Sequence, residues 1–116
     1  MDSLLRGEIR WARIEPASQV VGHEQGNSRP ILILSNDRFN TNSQLVVAAL
    51  ITSRRPPANS SVSVPIRSVQ MREPSWILTS QIRTLSTQRI NDLIGTVSDE
   101  ELMAIYRAIF RLFGIS

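Results

Sequence analysis

At 116 residues and 13.0 kDa the chain is expected to hold one domain, residues 1–116, because a single core organises on the order of 100 to 150 residues. It has no cysteine and one histidine, which excludes a disulfide framework, thiolate metal sites, a cysteine nucleophile and an all-histidine zinc site; no metal or cofactor is expected. The net charge is +3 and all thirteen basic residues are arginines, whose planar donor fork suits phosphate oxygens and bases, so the composition leans toward a nucleic-acid partner, although codon bias explains the missing lysines equally well.

The charge is uneven. Residues 1–90 hold eleven arginines against six acids, whereas residues 91–116 hold two against four, so any anion-binding surface belongs to the first part. Residues 1–10 alternate charged and apolar side chains without the apolar run of a signal peptide, and no run approaches membrane-spanning length; a soluble cytoplasmic protein is expected, with no membrane partner.

Residues 7–14 (Gly-Glu-Ile-Arg-Trp-Ala-Arg-Ile) suit a short half-buried strand ending before Pro16. Residues 17–28 are polar, hold two glycines and read as a loop. Ile31-Leu32-Ile33-Leu34 is a continuous β-capable run, the pattern of a strand buried on both faces, and Ser35 or Asn36 is placed to cap a short helical turn through Phe39. Residues 45–52 (Leu-Val-Val-Ala-Ala-Leu-Ile-Thr) read as a second buried strand.

Residues 54–60 carry Pro56-Pro57 and Asn59-Ser60 and form a loop. Val62, Val64 and Ile66 then alternate with polar residues as a one-sided strand should, and Trp76-Ile77-Leu78 starts another that runs toward Arg83. Core packing is the better reading of Trp11 and Trp76, with base stacking as the alternative. At the C-terminus Ser98 and Glu101 form a capping-box pattern, and Gly114 is placed to end the helix. Leu102, Ile105 or Tyr106, Ile109 and Phe113 make the apolar stripe opposite Glu100, Arg107 and Arg111, with Met103 and Phe110 beside it, so part of the helix could face a partner. The periodicity as a whole predicts a mainly β domain with short helices and a C-terminal α-helix, a small bent barrel or sandwich.

Side chains that stand where buried strands emerge are held accurately, and three places qualify: residues 24–29, Thr52-Ser53 and residues 81–84. These places carry a resemblance. Arg6-Gly7-Glu8-Ile9, Gly22-His23-Glu24-Gln25-Gly26, Arg29-Pro30 followed by the β run and Ser35-Asn36-Asp37-Arg38-Phe39-Asn40, then Ile51-Thr52-Ser53, Gln81-Ile82-Arg83-Thr84 and the Ser98-capped helix resemble the MazF/PemK (Kid) family of bacterial toxins over nearly the whole chain.

The resemblance implies an SH3-like β-barrel that forms a homodimer, cleaves single-stranded RNA at a short recognition sequence without a metal, and is held inactive by an antitoxin. It also implies attack by the ribose 2′-hydroxyl on the adjacent phosphodiester, leaving a 2′,3′-cyclic phosphate and a 5′-hydroxyl. Such a reaction needs a base, positive charge at the non-bridging oxygens and an acid for the leaving oxygen. Arg29 suits the charge, since its guanidinium can donate two hydrogen bonds to a phosphoryl group, and Thr52 could donate to the same phosphate.

Glu24 is a candidate base or a loop-fixing carboxylate, and His23 is a participant or a solvated side chain. Arg83 could hold a phosphate or brace the sheet. Arg54 and Arg55, beside Pro56-Pro57, look like an RNA-facing arm or a solvated loop, and Gln81 and Asn36 complete the matching positions assigned to RNA binding. One departure matters: where PemK-type members carry an arginine and an aspartate proposed as acid and base, this chain has Leu78 and Ser80. Retention of Arg29, Thr52 and Glu24 favours an enzyme, whereas Ser80 favours the alternative, a non-cleaving binding module like the gyrase-poisoning relatives of the fold.

Overall fold

The structure is a computed structural model and describes residues 3–14 and 28–115. The loop assigned to residues 17–28 therefore lies, except for Ser28, outside the described residues, as do His23 and Glu24. Among the described residues six strands form one antiparallel sheet: β1 (Glu8–Arg13), β2 (Ser28–Ile33), β3 (Leu45–Thr52), β4 (Ser63–Pro65), β5 (Trp76–Ser86) and β6 (Ile90–Thr96), in the order β4-β5-β3-β2-β1-β6. Helix α1 (Asp37–Ser43) lies against β3, and α2 (Asp99–Leu112) against β4 and β5.

The central strands are apolar on both faces, as the unbroken runs predicted. Leu32, Leu34, Ala49 and Ile51 join Ile9 and Ile77 beneath Leu102, Ile105 and Ile109 of α2. Ile31, Ile33, Val46, Ala48 and Leu50 point the other way and pack with Leu4, Ala12 and Leu85. Because side chains alternate along a strand, one short segment feeds two cores and a one-residue slip would exchange them.

Two local devices set the entry to this sheet. Gly7, at φ +92°, donates from its N–H to the Ile33 carbonyl (2.8 Å) and accepts from Val97 N–H (3.0 Å), a conformation that a Cβ would strain. Ser35-Asn36-Asp37 and Asn40 form a clasp. Asn36 Oδ1 accepts from Phe39 N–H (2.8 Å), Ser35 Oγ accepts from Val47 N–H (2.9 Å), buried Asn40 Nδ2 donates to the Leu4 carbonyl (2.8 Å), and Asp37 accepts from Arg6 N–H (2.9 Å). Asn36 is the N-cap of a helix longer than the single turn expected.

β5 bends. Its register with β3 runs from Ser86 opposite Leu45 to Ile82 opposite Ala49, then jumps to Leu78 opposite Leu50, so residues 79–81 have no partner in β3. Thr79 N–H donates instead to the Val62 carbonyl (2.9 Å), handing the strand over to β4. Beyond β4 the chain reaches the far edge of the sheet: Val69 packs so closely on Gly95 of β6 that a Cβ there would lie 2.5 Å from Val69 Cγ1, and Ser98 N–H donates to Ser68 Oγ (3.0 Å).

Both ends of α2 carry the expected caps, with one difference. Ser98 Oγ accepts from Glu101 N–H (3.1 Å), but the Glu101 carboxylate does not close the capping box; it accepts from Arg67 N–H (2.9 Å), Ser68 N–H (3.3 Å) and Ser68 Oγ (2.6 Å), tying the helix to the chain after β4. Gly114, at φ +79°, donates to Arg111, and Ile115 donates to Phe110, a Schellman ending. Phe113, placed in the buried stripe by its spacing, is 68% exposed because this ending swings the chain away from the sheet.

β6 has no counterpart in the periodicity of Ile-Asn-Asp-Leu-Ile-Gly-Thr. Its pairing with β1 shifts register twice, so its apolar residues do not alternate. Among the described residues no helix is long and apolar enough to cross a membrane.

Candidate active site

Pro30 marks the point where β2 leaves the protected core. The β2–β3 register sets Ile31 opposite Leu50, Leu32 opposite Ala49 and Ile33 opposite Ala48. The ladder ends at Ile31 and Leu50, and Arg29 and Thr52 each stand two residues beyond that pair, at the same end of the sheet. Arg29 is the partner of Ala12 in β1, so that strand holds its backbone while its side chain is exposed. The two residues line one cavity of about 490 Å³ at this end of the sheet.

Thr52 Oγ1 accepts from Arg54 N–H (3.0 Å), which fixes the rotamer and leaves the hydroxyl hydrogen free to donate elsewhere. Arg55 turns back over β5: its guanidinium carbon stands 5.4 Å from the centre of the Trp76 ring, and Trp76 is the ladder partner of Thr52. This stack gives the Arg54-Arg55 arm a fixed base beside the cavity.

Trp11 corrects the expectation of core packing. It pairs with Pro30, is 40% exposed and forms part of the cavity wall, so its ring offers a flat apolar surface to an aromatic ligand; Trp76 is half-buried beneath Arg55. The alternation that placed Trp11 inward is correct, but the core beneath it has already opened into the cavity.

The remaining candidates lie elsewhere. Arg83 is exposed on β5 opposite Ala48, four residues along β3 from Thr52 and hence about 13 Å away along the strand. Ser80 and Gln81 are exposed in the β5 bulge, and Asn36 caps α1; none of the three is on the cavity wall. Arg72 and Glu73, which the sequence reading did not single out, do line it. A signal for them was present: they stand four and three residues before Trp76, and polar residues close to the start of a strand can be held as firmly as those at its end.

Electrostatically the cavity wall carries Arg29, Arg72 and Glu73, an excess of positive charge suited to a phosphodiester. Among the described residues no group of three or more acids, histidines or cysteines could hold a metal ion. What the arrangement can do chemically is grip a phosphate through a guanidinium and a hydroxyl beside a ring on which a base can lie.

Comparison with known proteins adds the following. Residues 5–113 match the family model for PemK-like, MazF-like toxins of type II toxin-antitoxin systems. The chain is 34% identical over 106 residues to Endoribonuclease EndoA of Bacillus subtilis, covering 90% of this chain and 89% of that protein. Its fold is similar to an endoribonuclease in complex with its cognate antitoxin from a mycobacterial species (TM-score 0.79, 23% identity, 98% of each chain). It is likewise similar to MazF from Deinococcus radiodurans (TM-score 0.78, 23% identity, 99% of this chain and 100% of that one).

Proposed function

Since the chain belongs to the family of PemK-like, MazF-like toxins of type II toxin-antitoxin systems, we propose that it is a sequence-specific endoribonuclease that cleaves single-stranded RNA without a metal and so arrests growth. The observation that carries this reading is that Arg29, at the start of β2, and Thr52, at the end of β3, line one cavity.

The geometry suits cleavage by the ribose itself. With the scissile phosphate in the cavity, the Arg29 guanidinium donates two hydrogen bonds to the non-bridging oxygens and the Thr52 hydroxyl donates a third. These bonds strengthen as the phosphorus becomes pentacoordinate and charge accumulates on those oxygens. The 2′-oxygen attacks, the 5′-oxygen departs, and the products are a 2′,3′-cyclic phosphate and a 5′-hydroxyl; no step requires a bound cation. Ser80 offers no carboxylate as proton acceptor, and Glu24 and His23 lie outside the described residues.

Flanking nucleotides would meet Trp11, Arg55 on Trp76, and Arg54, with Arg83 and Gln81 further along β5. Asn36 acts through the fold, as the cap of α1. We read the bent sheet, whose β4 side meets β6 through Val69 and Ser68, as an SH3-like barrel. In the cytoplasm, the exposed Met103, Phe110 and Phe113 of the C-terminal segment offer apolar surface to a second copy in a homodimer or to the cognate antitoxin.

Incubation of the purified chain with a long single-stranded RNA in excess EDTA tests the reading. Fragments ending in a cyclic phosphate and a 5′-hydroxyl at a short repeated sequence are expected. Intact RNA would favour the non-cleaving binding module to which Ser80 points.

A further inference from the structure

We propose that Glu73 is the general base of the cleavage reaction; this rests on the endoribonuclease reading above. Among the described residues, Glu73 is the one carboxylate on the wall of the cavity that also holds Arg29 and Thr52.

Its position is well defined. Glu73 stands three residues before Trp76, the ladder partner of Thr52, so its Cα lies within about 10 Å of the Trp76 Cα at the same end of the sheet. Buried Ser75 donates from Oγ to the Glu73 carbonyl (2.8 Å), and the Ser75 carbonyl accepts from Ile66 N–H (2.9 Å). Pro74 between them has a fixed φ. The backbone is thus anchored to the β4–β5 hairpin while the side chain is exposed, and among the described residues no ion pair engages its carboxylate. By contrast Glu8, the other acid near β1 and β2, is buried and occupied by Arg10 Nε (2.8 Å) and Leu5 N–H (3.1 Å).

The proton balance is simple. The Glu73 carboxylate takes the proton of the 2′-hydroxyl as the bond from the 2′-oxygen to phosphorus forms. The bond from phosphorus to the 5′-oxygen breaks, and that oxygen takes a proton from water. Glu73 then returns its proton to the hydroxide left behind. Arg29 and Thr52 hold the phosphate, which leaves the carboxylate to the ribose.

Single-turnover cleavage of a short RNA by wild type, Glu73→Gln, Glu73→Asp and Glu24→Gln tests this, with melting temperature as the control for folding. Glu73→Gln is expected to melt like the wild type, lose at least about 100-fold in rate with KM changed less than about 3-fold, and lose the acidic limb of the pH–rate profile. Glu73→Asp should restore part of the rate, since it keeps the carboxylate. Wild-type cleavage with Glu73→Gln equally fast, or a loss confined to KM, overturns the assignment and leaves the endoribonuclease reading intact. A wild type that cuts no RNA overturns both.

Discussion

Above pH 10 this protein should lose stability through a single side chain. The chain has no lysine and no cysteine and one tyrosine, so between the titration of the N-terminal amine and that of arginine only Tyr106 changes its charge. Tyr106 sits on α2, its hydroxyl donates to the Leu34 carbonyl (2.5 Å), and Arg6 lies over its ring at 5.9 Å. Burial raises its pKa above the ordinary 10.0, and the nearby Arg6 charge opposes that rise without cancelling it. Below pH 10 the phenol is protonated in both folded and unfolded chains. Above it the unfolded chain releases the proton first, so the contribution is complete below 10.0 and is lost as pH rises through the folded pKa.

One proton limits the slope to about 1.4 kcal/mol per pH unit, and the partial exposure of Tyr106 keeps the effect below that ceiling. Tyr106→Phe removes the slope and strands the Leu34 carbonyl, costing about 1–2 kcal/mol at neutral pH. Thermal melts of both proteins from about pH 8 to 11, with tyrosinate absorbance followed in the native state, measure each quantity. Parallel melting curves for the two proteins across that range would refute the reasoning.

Arg29→Ala is expected to slow cleavage by about 10²–10³-fold and Thr52→Val by about 10-fold or more. Because both would hold one phosphate, the double variant should lose less than the product of the two; strict additivity in single-turnover rates would show that they act apart. Gly95→Ala forces a Cβ into Val69 and should destabilise by about 1–3 kcal/mol in urea titrations, with Val69→Ala in the same chain recovering most of the loss. A Gly95→Ala protein as stable as the parent would mean that Val69 has room to move. Ser98→Ala removes the cap of α2 and should cost about 1 kcal/mol by the same measurement, a cost that an unchanged midpoint would rule out.

Local chemistry made much of this protein legible in its sequence. β3 runs from Leu45 to Thr52 as its unbroken apolar stretch predicts, and α2 is capped by Ser98 and stopped before Gly114 as expected, because capping hydrogen bonds join residues three to five apart. Arg29 and Thr52 stood out as polar residues at the ends of buried strands. That they line one cavity followed only from the pairing of β2 with β3, a register fixed by which apolar side chains share a core.

Tertiary structure alone decided the rest. β6 escaped notice because an edge strand with two register shifts keeps no alternation, and Trp11 reached the cavity because its strand outruns the core beneath it. Arg72 and Glu73 line the cavity from the segment that leads into β5, whose Ser75 carbonyl is held by Ile66 N–H. Periodicity records which face of its own strand a side chain occupies. Whether that face meets packed atoms or open space depends on how distant segments close over it, and that is set by contacts remote in sequence.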